Sequence, residues 1–158
     1  MIQINIGDHR SRYWREGWTA FPPHRLENAR WARERAIAVA GGNPRADTYF
    51  RRLPRGRSLT ALLADRSIWI NYAYVLPGNA FGMGEEGGKE LAISELSCRM
   101  GKWSLLATLI HELAHLNGVP GTGHAAEDAL LACGLGRMRE KETDADDPFT
   151  PYEPGIEG

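Results

Sequence analysis

The feature that most constrains this chain lies between Trp103 and Leu116, where Trp103, Leu106, Ala107, Leu109, Ile110, Leu113, Ala114 and Leu116 make a broad apolar helical face. A helix this apolar belongs in the middle of a core. It also carries His111, Glu112 and His115. Burying two imidazoles and a carboxylate without partners is costly, so their presence asks for a chemical reason. The helix stops at Asn117-Gly118, with Pro120 just beyond.

His-Glu-x-x-His supplies that reason. Positions i and i+4 lie one turn apart on one face, so His111 and His115 can reach a single Zn²⁺. Glu112, beside the first histidine, is placed to take a proton from an activated water and pass it to a leaving amine. Zinc needs a third protein ligand, with a fourth position left for water. The candidates follow the glycine turn from Gly118 to Gly123: His124, Glu127 and Asp128 open a second short helix, read from His124 to Cys133. His124 and Glu127 share a face at i and i+3. Glu127 is the preferred ligand and His124 the alternative, while Asp128 could orient a ligating histidine through its free ring nitrogen.

The rest of the chain gives an α+β pattern. Leu26 to Ala40 has apolar residues at helical spacing and ends at Gly41-Gly42. Ile68 to Val75 reads as a strand, and Glu90 to Leu96 alternates like a half-buried one. Between them runs a glycine-rich stretch, Pro77 to Gly88, read as a mobile connection that joins the two strands as a hairpin. It lacks the Lys-Ser/Thr ending of a phosphate-binding loop. Residues 1–25 and 43–66 show no clean period. Residues 1–138 are expected to form one domain, and 139–158, charged and proline-bearing, a disordered tail.

Composition narrows the functional classes. A net charge of −1 argues against a partner held mainly through phosphates, so no nucleic acid is expected. No apolar run reaches the length of a membrane span, and the first residues lack the basic and apolar regions of a secretory leader. The expected location is the cytoplasm, or outside the cell by a route that reads no N-terminal signal. Cys98 and Cys133 flank the central helix and are compatible with one bridge or with two buried thiols. Ser58 and Ser94 lack a nucleophile-elbow context.

Taken together, His111-Glu112-Leu113-Ala114-His115, a preceding strand, a glycine turn and an Ala-Glu helix resemble the zincin-type zinc metallopeptidases. More loosely they resemble small HExxH domains of bacterial toxins and effectors. The resemblance covers about residues 67–136. Ala125-Ala126-Glu127-Asp128-Ala129 is similar to the gluzincin arrangement, in which a helical glutamate completes the site. The metzincin pattern holds through Gly118 and breaks at Gly121. The resemblance implies a small antiparallel or mixed sheet packed on the HExxH helix. Its edge strand, Glu90–Leu96 or Ile68–Val75, would pair with an extended peptide or protein substrate. It also implies a Tyr or His that stabilises the oxyanion, with Tyr72, Tyr74, His124 and Tyr49 as candidates. The alternative function is a non-catalytic binding module in which zinc holds two helices together.

Overall fold

A computed structural model describes residues 1–136. The segment 139–158, expected to be a disordered tail, lies outside the described residues. The described residues form a small mixed sheet with six α-helices. The strands are β1 (Gln3–Ile4), β2 (Trp18–Thr19), β3 (Trp69–Ala73), β4 (Gly82–Gly84) and β5 (Glu90–Ser94). The helices are α1 (Pro23–Gly42), α2 (Pro44–Phe50), α3 (Leu59–Ala64), α4 (Glu95–Met100), α5 (Lys102–Leu116) and α6 (Ala125–Ala132). No helix among the described residues is long and apolar enough to cross a membrane.

The sheet runs β1-β3-β5-β4, and β2 lies beside the far half of β3. Gln3 and Ile4 pair in parallel with Trp69 and Ile70, while Trp18 and Thr19 pair antiparallel with Ala73 and Tyr72. β1 and β2 therefore share one flank of β3, and β5 occupies the other. The expected hairpin of β3 and β5 does not form, because the two strands are parallel, Trp69 opposite Glu90 and Ala73 opposite Ser94. A parallel pair needs a crossover, and the glycine-rich stretch provides it by passing beyond β5 to build β4. That strand then turns back antiparallel, with Met83 opposite Ala92. The expected edge strands are also corrected: β3 and β5 are interior, and the edge beside the central helix is β4. With neighbours on both sides and cover above and below, β5 is buried at all five positions rather than half-buried.

α5 sits at the centre, with every residue from Ser104 to Leu116 buried. It packs against α1, α4 and α6 and beneath β4 and β5. Leu105, Leu106, Leu109, Ile110 and Leu113 join Ile2, Phe50, Leu59, Leu62, Ile68, Ile70 and Leu91 in one continuous core. α1 contributes Ala29, Ala32, Ala36 and Ala40 to it, small side chains that let a long helix lie close to α5. The two sequence-silent regions also resolve into elements. Asn43 caps α2 by accepting from the Arg45 N–H, and Ser58 caps α3 by accepting from the Ala61 N–H. Ser94, which caps α4, ends β5 two residues before the expected Leu96. Both serines thus have structural work unrelated to nucleophilic chemistry. Cys98 and Cys133 are separate buried thiols, each pushed up to about 12 by burial; neither is poised to react.

Candidate metal and active site

The end of α5 builds the centre of the site. Gly118 takes φ +92°, and the backbone closes with Gly118 N–H donating to His115 C=O and Val119 N–H to Ala114 C=O. This is a Schellman stop, which only a residue tolerant of left-handed φ makes cheaply. The stop has a second effect. It carries the Val119 carbonyl back over the last turn, where it lies 2.8 Å from His115 Nδ1. A carbonyl can only accept, so Nδ1 is the donor in this contact and Nε2 is the nitrogen turned toward the site. That Nε2 lies 3.1 Å from His111 Nε2. Burial, and then the neighbouring His115, push His111 down to about 3, so its imidazole is neutral. Two imidazoles converge nitrogen to nitrogen in a buried site, an arrangement suited to a shared cation.

Glu112 is fully buried, and neither carboxylate oxygen has a hydrogen-bond partner among the described residues. Burial pushes it up to about 8; the nearby Gly84 backbone N–H offsets a little of this, and Glu127 adds to it. The space it occupies is made by β4. An added Cβ at Gly82 would lie 2.6 Å from Glu112 Oε1 and 2.5 Å from Thr108 Cγ2. At Gly84 it would lie 2.9 Å from the Glu112 carbonyl oxygen and 3.0 Å from Oε2. Met83, between them, packs on the opposite face of the sheet with Trp18, Ala73, Leu76 and Ala92. The stretch read as a mobile connection is thus a strand whose two glycines let the sheet edge lie directly on Glu112.

α6 brings the remaining candidate. Glu127 lines a cavity of about 30 Å³ together with His111, His115, Pro120, Gly121, Gly123 and Ala126. A single water needs roughly 10–15 Å³ measured this way, so the space suits one ion or water and little else. Glu127 Oε2 is buried there without a hydrogen-bond partner. His124, in contrast, is exposed at the N-cap of α6 and does not line this cavity. Among the described residues no three His, Cys, Asp or Glu side chains stand as a ready-made metal cluster; the histidine pair is assembled, and Glu127 borders the same space. The donor set nonetheless fits a divalent ion. Two imidazole nitrogens face one another, and an orphaned carboxylate oxygen lines the cavity they share.

On its open side this region meets a cleft of about 390 Å³. The Pro77–Ala80 turn, β4, Glu86 and Gly121 bound it, and Glu112 and His115 line its floor. None of the four expected oxyanion residues lines this cleft. The Tyr72 hydroxyl donates to Glu95 at 2.8 Å, and the Tyr49 hydroxyl donates to the Ala125 carbonyl at 2.8 Å, steadying the start of α6. Tyr74 lies beyond the Pro77–Ala80 turn, in the wall of a second cavity. Sequence reasoning missed Gly82 and Gly84, whose only signal was an unusual glycine density. His9 and the buried Glu90 form a separate network with Ser11, Asn71 and Asn5 that serves the β1–β3 region. Comparison of this chain with protein-family models, with curated proteins and with solved structures finds no match.

Proposed function

We propose that this chain is a zinc-dependent metallopeptidase, with His111, His115 and Glu127 as the metal-holding residues and Glu112 as the general base. One observation carries the reading: a fully buried carboxylate with no hydrogen-bond partner lines an open cleft together with His115, whose Nε2 lies 3.1 Å from His111 Nε2. A purely structural role gives no reason to leave both oxygens of Glu112 unsatisfied. A role in proton transfer does.

When bound, zinc supplies a Lewis acid that polarises the carbonyl under attack and lowers the pKa of a water toward neutrality. The chain's own residues do the rest. The Val119 carbonyl holds the His115 ring in the tautomer that turns Nε2 toward the site. Gly82 and Gly84 let the backbone of β4 lie against the Glu112 carboxylate with no side chain between them. Glu112, next to the first histidine and with both carboxylate oxygens free of protein hydrogen bonds, is the group to accept a proton from the attacking water and release it to the departing amine. At the sheet edge, Ser94 N–H bonds Phe81 C=O and Glu85 N–H bonds Glu90 C=O. By antiparallel alternation the Gly82 N–H and C=O and the Gly84 C=O then face away from β5, where an extended peptide can pair with them as an added strand.

The test is Glu112→Gln. The variant is expected to keep its zinc and to lose about 10²–10⁴-fold of its activity on a peptide library. Wild-type activity in the variant would remove Glu112 from this role. Zinc held by both proteins with hydrolysis by neither would favour the zinc-stabilised binding module instead.

A further inference from the structure

β3, β5 and β4 come to a common end of the sheet. Ala73 lies opposite Ser94, and Ser94 N–H donates to the Phe81 carbonyl just before β4. A second cavity, of about 370 Å³, opens at this end. Its walls come from the residues that follow β3 (Tyr74, Val75, Leu76), from Ala80 at the approach to β4, and from Leu96 in the first turn of α4. Tyr74 is 78% exposed and Val75 64%, the two most exposed large hydrophobic residues among those described. They are adjacent in sequence and both line this cavity, so their exposure is not that of scattered surface residues. Glu95 also borders the cavity, but its carboxylate is held by Arg25 and by the Tyr72 hydroxyl. Asn79, Ser94 and Arg99 also border the cavity, so the apolar part of its lining is the side made by Tyr74, Val75, Leu76, Ala80 and Leu96.

Ala80 belongs to the walls of both this cavity and the cleft over Glu112. Moving along β4 from Gly84 to Gly82 and on to Ala80 leads from one to the other. Strand residues rise about 3.3 Å each, so Ala80 is only about 7 Å beyond Gly82. A chain laid along the free edge of β4 reaches the second cavity within a few residues of the point above Glu112.

We propose that the Tyr74–Val75 cavity is a substrate subsite, which takes a large apolar or aromatic side chain of the polypeptide about two to four residues from the bond cleaved. The proposal rests on the metallopeptidase reading and adds to it the substrate class: polypeptides with an apolar anchor at a fixed distance from the cut. Specificity then comes from two places, backbone pairing along β4 and burial of one side chain beyond its end.

The experiment uses the zinc-loaded full chain, its Val75→Asp and Tyr74→Ser variants, and a proteome-derived peptide library read by mass spectrometry. Both positions are exposed, so neither substitution threatens the core. The wild type is expected to enrich Phe, Tyr, Leu, Ile or Met at one fixed position two to four residues from the cut. In V75D that enrichment should disappear, and KM for an anchored peptide should rise about tenfold with kcat little changed, as loss of one buried apolar side chain requires. A second arm, independent of turnover, measures binding to Glu112→Gln of two labelled peptides that differ by Phe or Ala at that position. About tenfold tighter binding of the Phe peptide is expected, and its loss in E112Q/V75D. Cleavage without a fixed apolar position, or enrichment unchanged in V75D, would overturn the subsite and leave the peptidase reading intact. No cleavage by any form, with no Phe preference in binding, would overturn both.

Discussion

Gly82 tests whether the edge strand is shaped around Glu112. The substitution is Gly82→Ala, and Gly82 lies in strand backbone that alanine adopts without strain. The cost is therefore one of contact alone. The new methyl would stand 2.5 Å from Thr108 Cγ2, 2.6 Å from Glu112 Oε1 and 2.8 Å from Glu112 Cγ. Comfortable contact between such atoms is about 3.5–4.0 Å, so β4 must lift or two buried side chains must move. Overpacking of this kind costs about 1–3 kcal/mol. In a chain of 158 residues that lowers Tm by about 2–4 °C for each kcal/mol. Urea denaturation of the metal-free protein, followed by far-ultraviolet circular dichroism, measures it directly. Two of the three contacts are with Glu112, so the penalty should shrink by more than half when G82A is made in a Glu112→Ala background, a coupling that a double-mutant cycle isolates. A penalty below about 0.5 kcal/mol, or the same penalty in both backgrounds, would refute the idea that glycine is there to accommodate Glu112.

Three further outcomes follow from other parts of the molecule. Asn117 is fully buried, donates to the Phe50 and Arg57 carbonyls at 2.8 Å each and accepts from the Arg57 N–H. Asn117→Ala should cost about 2–3 kcal/mol by equilibrium denaturation, because it strands buried backbone groups. Asp65 is penalised by burial, but Lys89, Ser67 and Arg57 outweigh this and hold its carboxyl well below the usual carboxylate range. Its contribution is thus complete above the ordinary pKa of an unfolded aspartate, about 3.9, and is lost as pH falls from there toward the depressed folded-state value. Asp65→Asn should flatten the acid limb of a stability-against-pH curve, and an unchanged limb would contradict the assignment. Tyr49→Phe removes the hydroxyl that holds the Ala125 carbonyl. It should cost about 1 kcal/mol and weaken metal retention, since α6 carries Glu127.

What was legible in the sequence follows from how local each signal is. α5 was readable because its apolar residues, its His-Glu-x-x-His spacing and its Asn117-Gly118 stop all lie within one short stretch. α6 was readable for the same reason, and β3 because Ile68 to Val75 is β-branched and aromatic. β4 was not: Gly82-Met83-Gly84 has neither strand propensity nor alternation. Its identity is set by Glu112, which lies in another element. The parallel pairing of β3 and β5 was equally hidden, since the intervening glycines fit a hairpin or a crossover. β1 and β2 are two residues each, too short for any period to show. In the candidate site, the helix pair of histidines and Glu112 came from spacing. The separation of Glu127 from His124 came only from the angle at which α6 returns beside α5, which a glycine turn leaves undetermined.

The central claim is that His111, His115 and Glu127 hold one metal ion. Elemental analysis of purified wild type, Glu127→Ala and His124→Ala, prepared in parallel, tests it most directly. The account predicts about one zinc per chain in wild type and in H124A, and its loss in E127A. Loss in H124A with retention in E127A would put the exposed histidine in place of Glu127. A wild-type protein that holds no metal after reconstitution with zinc would contradict the metal site itself.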